Sequence, residues 1–131
     1  PKEKVWVMFI DIHVLDYGGN LFDACSYAAV AALGATTVPA KAMGVGDDFP
    51  LPVEHWPVSV TTSKIKDILF VDPALDEERM TDARLTVTTD ENEDIRAMQK
   101  GLSGSFSYDE VKRIIETAQR VGRTIRPLLQ R

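Results

Sequence analysis

Two aspartates six positions apart, Asp76 and Asp82, bracket a short acidic run that also holds Glu77 and Glu78. Carboxylates that converge at the start of a strand can hold a magnesium ion or serve as acid and base in phosphoryl transfer. A solvated turn accounts for the same residues, so their spacing leaves both readings open. Upstream, "DYGGNLFD" from Asp16 runs through Gly18 and Gly19 into an alanine-rich stretch. A glycine junction ahead of a helix is what a phosphate cradle needs, because backbone N–H groups and the positive end of the helix dipole face the anion there. A tight turn needs the same glycines.

The other candidates are weaker. Asp11 and His13 share one strand face, where a carboxylate can orient an imidazole, but no serine or cysteine is tied to them, and a structural or interface pair is the better account. His55, in "VEHWP", is a lone histidine in a proline-flanked loop, and no metal site is expected there. "DENED" places Asp90, Asn92 and Asp94 at alternate positions like the opening of a calcium loop; the match fails at Ile95, where glycine belongs, and at Gly101, where the closing glutamate would fall. A solvated hairpin tip is expected instead. "GLSGS", from Gly101, has Ser105 where a nucleophile elbow carries its second glycine, and it reads as a flexible turn.

The elements that must position these residues follow from periodicity. From Val5 to Leu15 the apolar residues alternate, which predicts a strand with Trp6, Met8, Ile10, Ile12 and Val14 on its core face. A helix is expected from about Asn20, as its cap, to Leu33, ending at Gly34, with Ala24, Ala28, Ala29, Ala31 and Ala32 letting it lie close to a sheet. Residues 35–56 read as a loop around a short strand near Val38. "PVSVTTSKI" with "DILFVDP" predicts a hairpin turning near Lys66 and Asp67. "ARLTVTT" with "DIRAMQK" predicts a second, and "ALDEERMTD" between them is expected to give no more than a helical turn. Ser107 and Glu110 form a capping box. After them Val111, Ile114, Ile115, Ala118, Val121, Ile125 and Leu128 repeat at helical spacing, while Lys112, Arg113, Arg120, Arg123 and Arg126 are expected mainly in solvent and Pro127 ends or kinks the last turn.

The totals bound the function. The 131 residues, 44% apolar and 27% charged, suit one domain or two small lobes, and the net charge of −5 provides no overall basic field for nucleic acid. Cys25, the single cysteine, excludes an internal disulfide and a cysteine-rich zinc site and suits a reducing, cytoplasmic location. No apolar run reaches membrane-spanning length, so no membrane partner is expected. Pro1 leads at once into an apolar strand, and part of that strand's sheet is expected to lie outside this chain.

Taken together, "WVMFIDIHVLDYGGNLFDACSYAAVAAL", "VDPALDEERMTDARLTVTTDENEDIRAMQKG" and "SYDEVKRIIETAQRVGRTIRPLL" resemble the RNase PH family. Within it they are most similar to the non-catalytic RNase PH-like ring subunits of the archaeal exosome, with the eukaryotic counterparts a near alternative. Family members carry an additional N-terminal half, so the chain resembles a C-terminal half. The resemblance implies an α+β fold of mixed sheets packed against helices. It divides the chain into 1–43 (end of a first RNase PH-like lobe), 44–56 (connecting loop) and 57–131 (second lobe).

Active members degrade RNA from its 3′ end with inorganic phosphate, through a loop reading glycine, a small hydroxyl residue and arginine. Here Gly18 and Gly19 are followed by Asn20 and Leu21, so hydroxyl and guanidinium are both absent and Asp23 adds negative charge. A helix dipole worth about 1 kcal/mol does not replace a bidentate cation, so no phosphate is expected in this loop. Asp76 and Asp82 match the family's active-site aspartates as vestigial residues, and Asp82 is expected to pair with Arg79 or Arg84. No catalytic residue, metal or other cofactor is expected. The resemblance implies a hetero-hexameric ring with a catalytic RNase PH-like subunit, RNA-binding cap subunits and single-stranded RNA, in which this chain shapes its partner's active site and guides RNA. RNA-contacting residues of this subunit type lie mostly upstream, so none is nominated. Two rivals stand beside this reading: an active phosphorolytic exoribonuclease using Asp82, and a protein interaction module unrelated to RNA.

Overall fold

Alternating β-branched residues in two stretches build the centre of the molecule. The computed structural model describes residues 5–130; residues 1–4 and 131, at the outer ends of the two lobes expected above, lie outside the described residues. In chain order the elements are α1 (Leu21–Gly34), β1 (Thr37–Val38), β2 (Phe49–Pro50), β3 (Val58–Ile65), β4 (Ile68–Val71), α2 (Leu75–Met80), β5 (Ala83–Thr89), β6 (Ile95–Gly101) and α3 (Tyr108–Leu129). A four-stranded antiparallel sheet runs in the order β4-β3-β5-β6, and β1 and β2 form a separate two-stranded pair. Both hairpins form where expected, with Lys66 in a left-handed conformation at the first turn.

Register separates the two faces of the sheet. Val60 lies opposite Val87 and Val58 opposite Thr89, while Ser59 faces Thr88 and Thr61 faces Thr86. Val58, Val60, Leu85 and Val87 meet Ile114 and Ala118 of α3 in one buried cluster. α3 starts as its sequence demands: Ser107 Oγ accepts the Glu110 N–H at 3.2 Å, and Glu110 returns a bond to the Ser107 N–H at 2.7 Å. Lys64 Nζ reaches the same carboxylate at 2.8 Å, tying β3 to the helix, and this ammonium with the Ser107 N–H holds the Glu110 carboxyl below its usual range. Pro127 lies inside the last turn, and α3 stops two residues later.

Three expectations are corrected here. Residues Val5 to Leu15 form no strand. The expected core side chains are 44% to 53% exposed against 63% to 85% for Val5, Val7 and Phe9. The alternation persists, but no described segment pairs with it, and an unpaired strand has neither ladder nor core. Asn20 occupies the cap position of α1 without capping it: its backbone is left-handed and its side chain points elsewhere. The alanines of α1 do not form its packed side. Ala24, Ala28, Ala31 and Ala32 are exposed and Ala29 is half-buried, while Asp23, Ser26, Tyr27 and Val30 face the sheet, because the part of β3 that α1 meets is polar.

Candidate functional site

The head of α1 carries the glycine turn weighed above as a phosphate cradle, and local backbone explains its shape. Gly19 has φ +120, a conformation that L side chains rarely adopt, and a Cβ there would overlap the Pro73 carbonyl and the start of the 74–75 peptide. The turn is thereby pressed onto the segment before α2, and the Leu75 N–H donates to Gly18 O at 2.9 Å. Asn20 adopts φ 50, which its short polar side chain tolerates.

Carboxylates surround this turn. Glu78, on α2, accepts the Asn20 backbone N–H at 3.0 Å, and its other oxygen takes the Tyr17 hydroxyl, a bond that raises the phenol pKa. Asn20 Nδ2 donates to Asp23 Oδ2 at 3.0 Å and to Asp72 Oδ1 at 2.9 Å, which fixes the amide's orientation and leaves its buried Oδ1 without a partner among the described residues. Burial pushes the Asp23 carboxyl up; the Thr61 N–H and hydroxyl pull against that shift. Leu21 begins the helix and offers no cation. An acidic group of the protein itself therefore sits on the amide at the helix's positive end.

Asp76 and Asp82 go separate ways. Asp76 is open to solvent at the start of α2 and pairs with Arg79 at 3.3 Å. Asp82 is exposed and accepts the Lys66 N–H at 2.8 Å, bracing the β3–β4 turn. The expected pairing of Asp82 with Arg79 or Arg84 does not form: Arg79 goes to Asp76, and Arg84 lies over the Phe22 ring at 4.3 Å. Neither aspartate belongs to a three-ligand cluster among the described residues.

Around His55 and at Arg126 the surroundings differ from those expected. His55, Asp90 and Glu91 bring metal-capable atoms within 4.8 Å of one another. Each group already has protein partners: His55 Nδ1 and Glu91 Oε1 are 2.7 Å apart, the Trp56 N–H reaches Glu91 Oε2, and Arg96 with the Asn92 and Asp94 N–H groups donates to Asp90. A guanidinium against the cluster opposes a cation, so it serves as a brace between the 55–56 loop and the β5–β6 turn. The hairpin tip is accordingly not wholly solvated, since Asp90 is fully buried. Burial raises the Asp90 carboxyl, but Arg96 and the two N–H groups outweigh it and the net direction is down. Arg126 leaves the expected solvated stripe and is buried, donating to Trp56 O at 2.8 Å and Thr89 O at 2.9 Å.

Asp11 and His13 are exposed, and neither has a hydrogen-bond partner among the described residues. The "GLSGS" segment is the turn expected of it: Gly104 packs on the Asp82 carbonyl and donates its N–H there, and Ser105 O accepts from Lys64 Nζ. Glu78, Asp72 and Asp90 carried no sequence signal for these roles, because each contact depends on how distant segments come together.

A family model described as "3′ exoribonuclease family, domain 2" matches residues 55–121, and one described as "3′ exoribonuclease family, domain 1" matches residues 1–39. The chain is 53% identical over 124 residues to exosome complex component Rrp42 of Thermoplasma volcanium, covering 95% of this chain and 47% of that protein. It is 47% identical over 134 residues to the Rrp42 of Thermococcus kodakarensis, covering 96% and 49%. The chain thus spans about half the length of the curated relatives it matches. Among solved structures it is similar to an archaeal exosome core, with 36% identity, TM-score 0.85 and coverage of 89% of this chain and 47% of that one. It is also similar to the Archaeoglobus fulgidus exosome with RNA bound to the active site, at 37% identity, TM-score 0.82 and coverage of 86% and 44%.

Proposed function

Because the chain belongs to the 3′ exoribonuclease (RNase PH) family, we propose that it is part of an exosome ring subunit, a non-catalytic component that builds the ring and guides RNA during 3′–5′ degradation. Its partners on this reading are a catalytic RNase PH-like subunit, whose active site it helps to shape, RNA-binding cap subunits and single-stranded RNA. The identity with Rrp42 proteins and the likeness to archaeal exosome cores support it. We read residues 1–43 as the end of a first lobe, 44–56 as the connector and 57–131 as the second lobe, a division consistent with the two separate family matches. A cytoplasmic location accompanies this role; among the described residues no helix is long and apolar enough to cross a membrane.

One observation carries the non-catalytic half of the proposal. Phosphorolysis needs a phosphate dianion as its nucleophile, and the amide at the head of α1 is held by the Glu78 carboxylate, with Asp23 and Asp72 close by. Repulsion from those carboxylates, with neither hydroxyl nor guanidinium in Gly18, Gly19, Asn20 and Leu21, removes the nucleophile's seat. Asp76 and Asp82 then have no phosphoryl group to act on.

The test is phosphate-dependent release of nucleoside diphosphates from a 3′-ended RNA. The chain alone is expected to release none. Co-expressed with a catalytic RNase PH-like subunit it is expected to yield one assembly by mass measurement, active with phosphate and indifferent to Asp82→Asn in this chain. Phosphate-dependent decay by the chain alone, lost in Asp82→Asn, would establish the active exoribonuclease instead. Co-purification with an unrelated partner would favour the interaction module.

A further inference from the structure

A groove of about 320 Å³ runs between β4 and α3, lined by Leu69, Phe70 and Val71 on the strand side and by Arg113, Thr117 and Arg120 on the helix side. It exists because α3 packs over β3 and β5, leaving the face of the edge strand β4 partly uncovered. Thr62 and Ile114 lie at its base.

Three features say what would fill it. Arg113, Thr117 and Arg120 sit at i, i+4 and i+7, so one helix face presents a hydroxyl between two guanidinium groups about 10 Å apart along the axis. Neither arginine has an acidic partner among the described residues, although the chain is acidic overall and Arg79, Arg96 and Arg123 are all paired. Thr62 is 3% exposed, and its Oγ1 has no hydrogen-bond partner among the described residues. A buried hydroxyl without a partner is costly; Thr62 lies at the base of the groove with Oγ1 closed to solvent, so an incoming oxygen or N–H would satisfy it once the side chain rotates to uncover it.

We propose that this groove docks an acidic peptide segment of a partner protein, its carboxylates on Arg113 and Arg120, its apolar side chains against Leu69 and Val71, and a polar atom on Thr62 Oγ1 once that hydroxyl is uncovered. The apolar floor selects a peptide over a nucleic-acid backbone, which favours a continuous basic surface with few apolar contacts. The inference stands on the groove alone and is independent of the RNA-guiding role.

The test is fluorescence anisotropy with the 131-residue chain and three labelled probes: a short blocked peptide of leucine and glutamate, the same peptide with glutamine for glutamate, and a short oligouridylate. The glutamate peptide is expected to bind at least about tenfold more tightly than its glutamine counterpart, the factor for a charge-assisted bond. Arg113→Gln with Arg120→Gln is expected to erase that preference, and Thr62→Val to weaken binding severalfold. Both arginines are exposed, so the variant should keep its circular dichroism spectrum and melting midpoint. Equal binding of both peptides, an unchanged affinity in the double variant, or binding of the oligouridylate alone would overturn the proposal.

Discussion

Asp23 sits in the first turn of α1, buried, with one oxygen accepting the Thr61 N–H at 2.9 Å and the other accepting the Thr61 hydroxyl at 2.7 Å. The Thr61 N–H lies just past the point where β4 stops covering β3, so the carboxylate takes a ladder position that no strand fills. Asp23→Ala is expected to destabilise the chain by about 2 kcal/mol in urea unfolding, because that N–H loses its acceptor. Asp23→Asn keeps an oxygen in place and removes the buried charge; its cost is expected to stay below about 1 kcal/mol. At the neighbouring turn, Asn20→Ser with Leu21→Arg would restore the missing hydroxyl and guanidinium. Calorimetric titration with inorganic phosphate is still expected to show no binding until Glu78→Gln is added, since Glu78 would hold both the Asn20 amide and the new cation. That Asn20 and Leu21 supply neither a hydroxyl nor a guanidinium was legible from two positions in the chain. What holds the Asn20 amide was not, because Glu78 meets Asn20 across 58 residues.

Among the elements, α3 was the most readable, from its capping box to its apolar stripe, since helical spacing and local hydrogen bonding are both written in neighbouring residues. Two of its residues depart from that reading: Leu128, expected in the apolar stripe, is 54% exposed while Leu129 packs on the core, and the other is Arg126. On the helix it follows the charged pattern of Arg120 and Arg123, yet near the C-terminal end of α3 it meets the close of β5, where Trp56 and Thr89 leave carbonyls to satisfy. Gly122 makes room for it: a Cβ there would press on Thr89 Oγ1 and the Arg126 guanidinium. Arg126→Met is expected to destabilise by about 2 to 3 kcal/mol in thermal or urea unfolding, leaving two carbonyls unpaired; Arg126→Lys should recover only part of this, because a single ammonium does not reproduce the fork. The alanine-rich α1 was placed correctly but oriented wrongly, since a sequence with small residues on several sides does not disclose which side packs.

For the whole molecule, pH and concentration are the informative variables. The His55 bond, Glu91's own N–H and the Trp56 N–H hold the Glu91 carboxyl down to about 2, and Asp90 and Glu110 are held below their usual values as well. A depressed folded pKa means that the unfolded chain binds more protons between about 4.5 and about 2, so this stabilisation is full above that window and lost as pH falls through it. Urea midpoints should drop steeply there, and Glu91→Gln should flatten part of the slope; an unchanged slope would exclude the brace as its source. The apolar segment 5–15 exposes Phe9 and Leu15 almost fully and Val5, Val7 and Ile10 by more than half. Such a surface is expected to drive concentration-dependent association in sedimentation velocity, reduced by Ile10→Lys with Ile12→Lys.

Periodicity and turn residues by themselves determined the extents of α1 and α3 and both hairpins, with the capping box adding the start of α3, because each rests on residues within a few positions of one another. Only the tertiary structure decided that Glu78 occupies the head of α1, that Asp90 and Arg126 are buried, that Asp76 and Asp82 serve different contacts, and that Thr62 lies buried at the base of a groove with its hydroxyl unpartnered among the described residues. Those outcomes depend on which distant carbonyls, amides and charges meet once the sheet forms, and a buried polar group takes whatever partner the packing brings within reach.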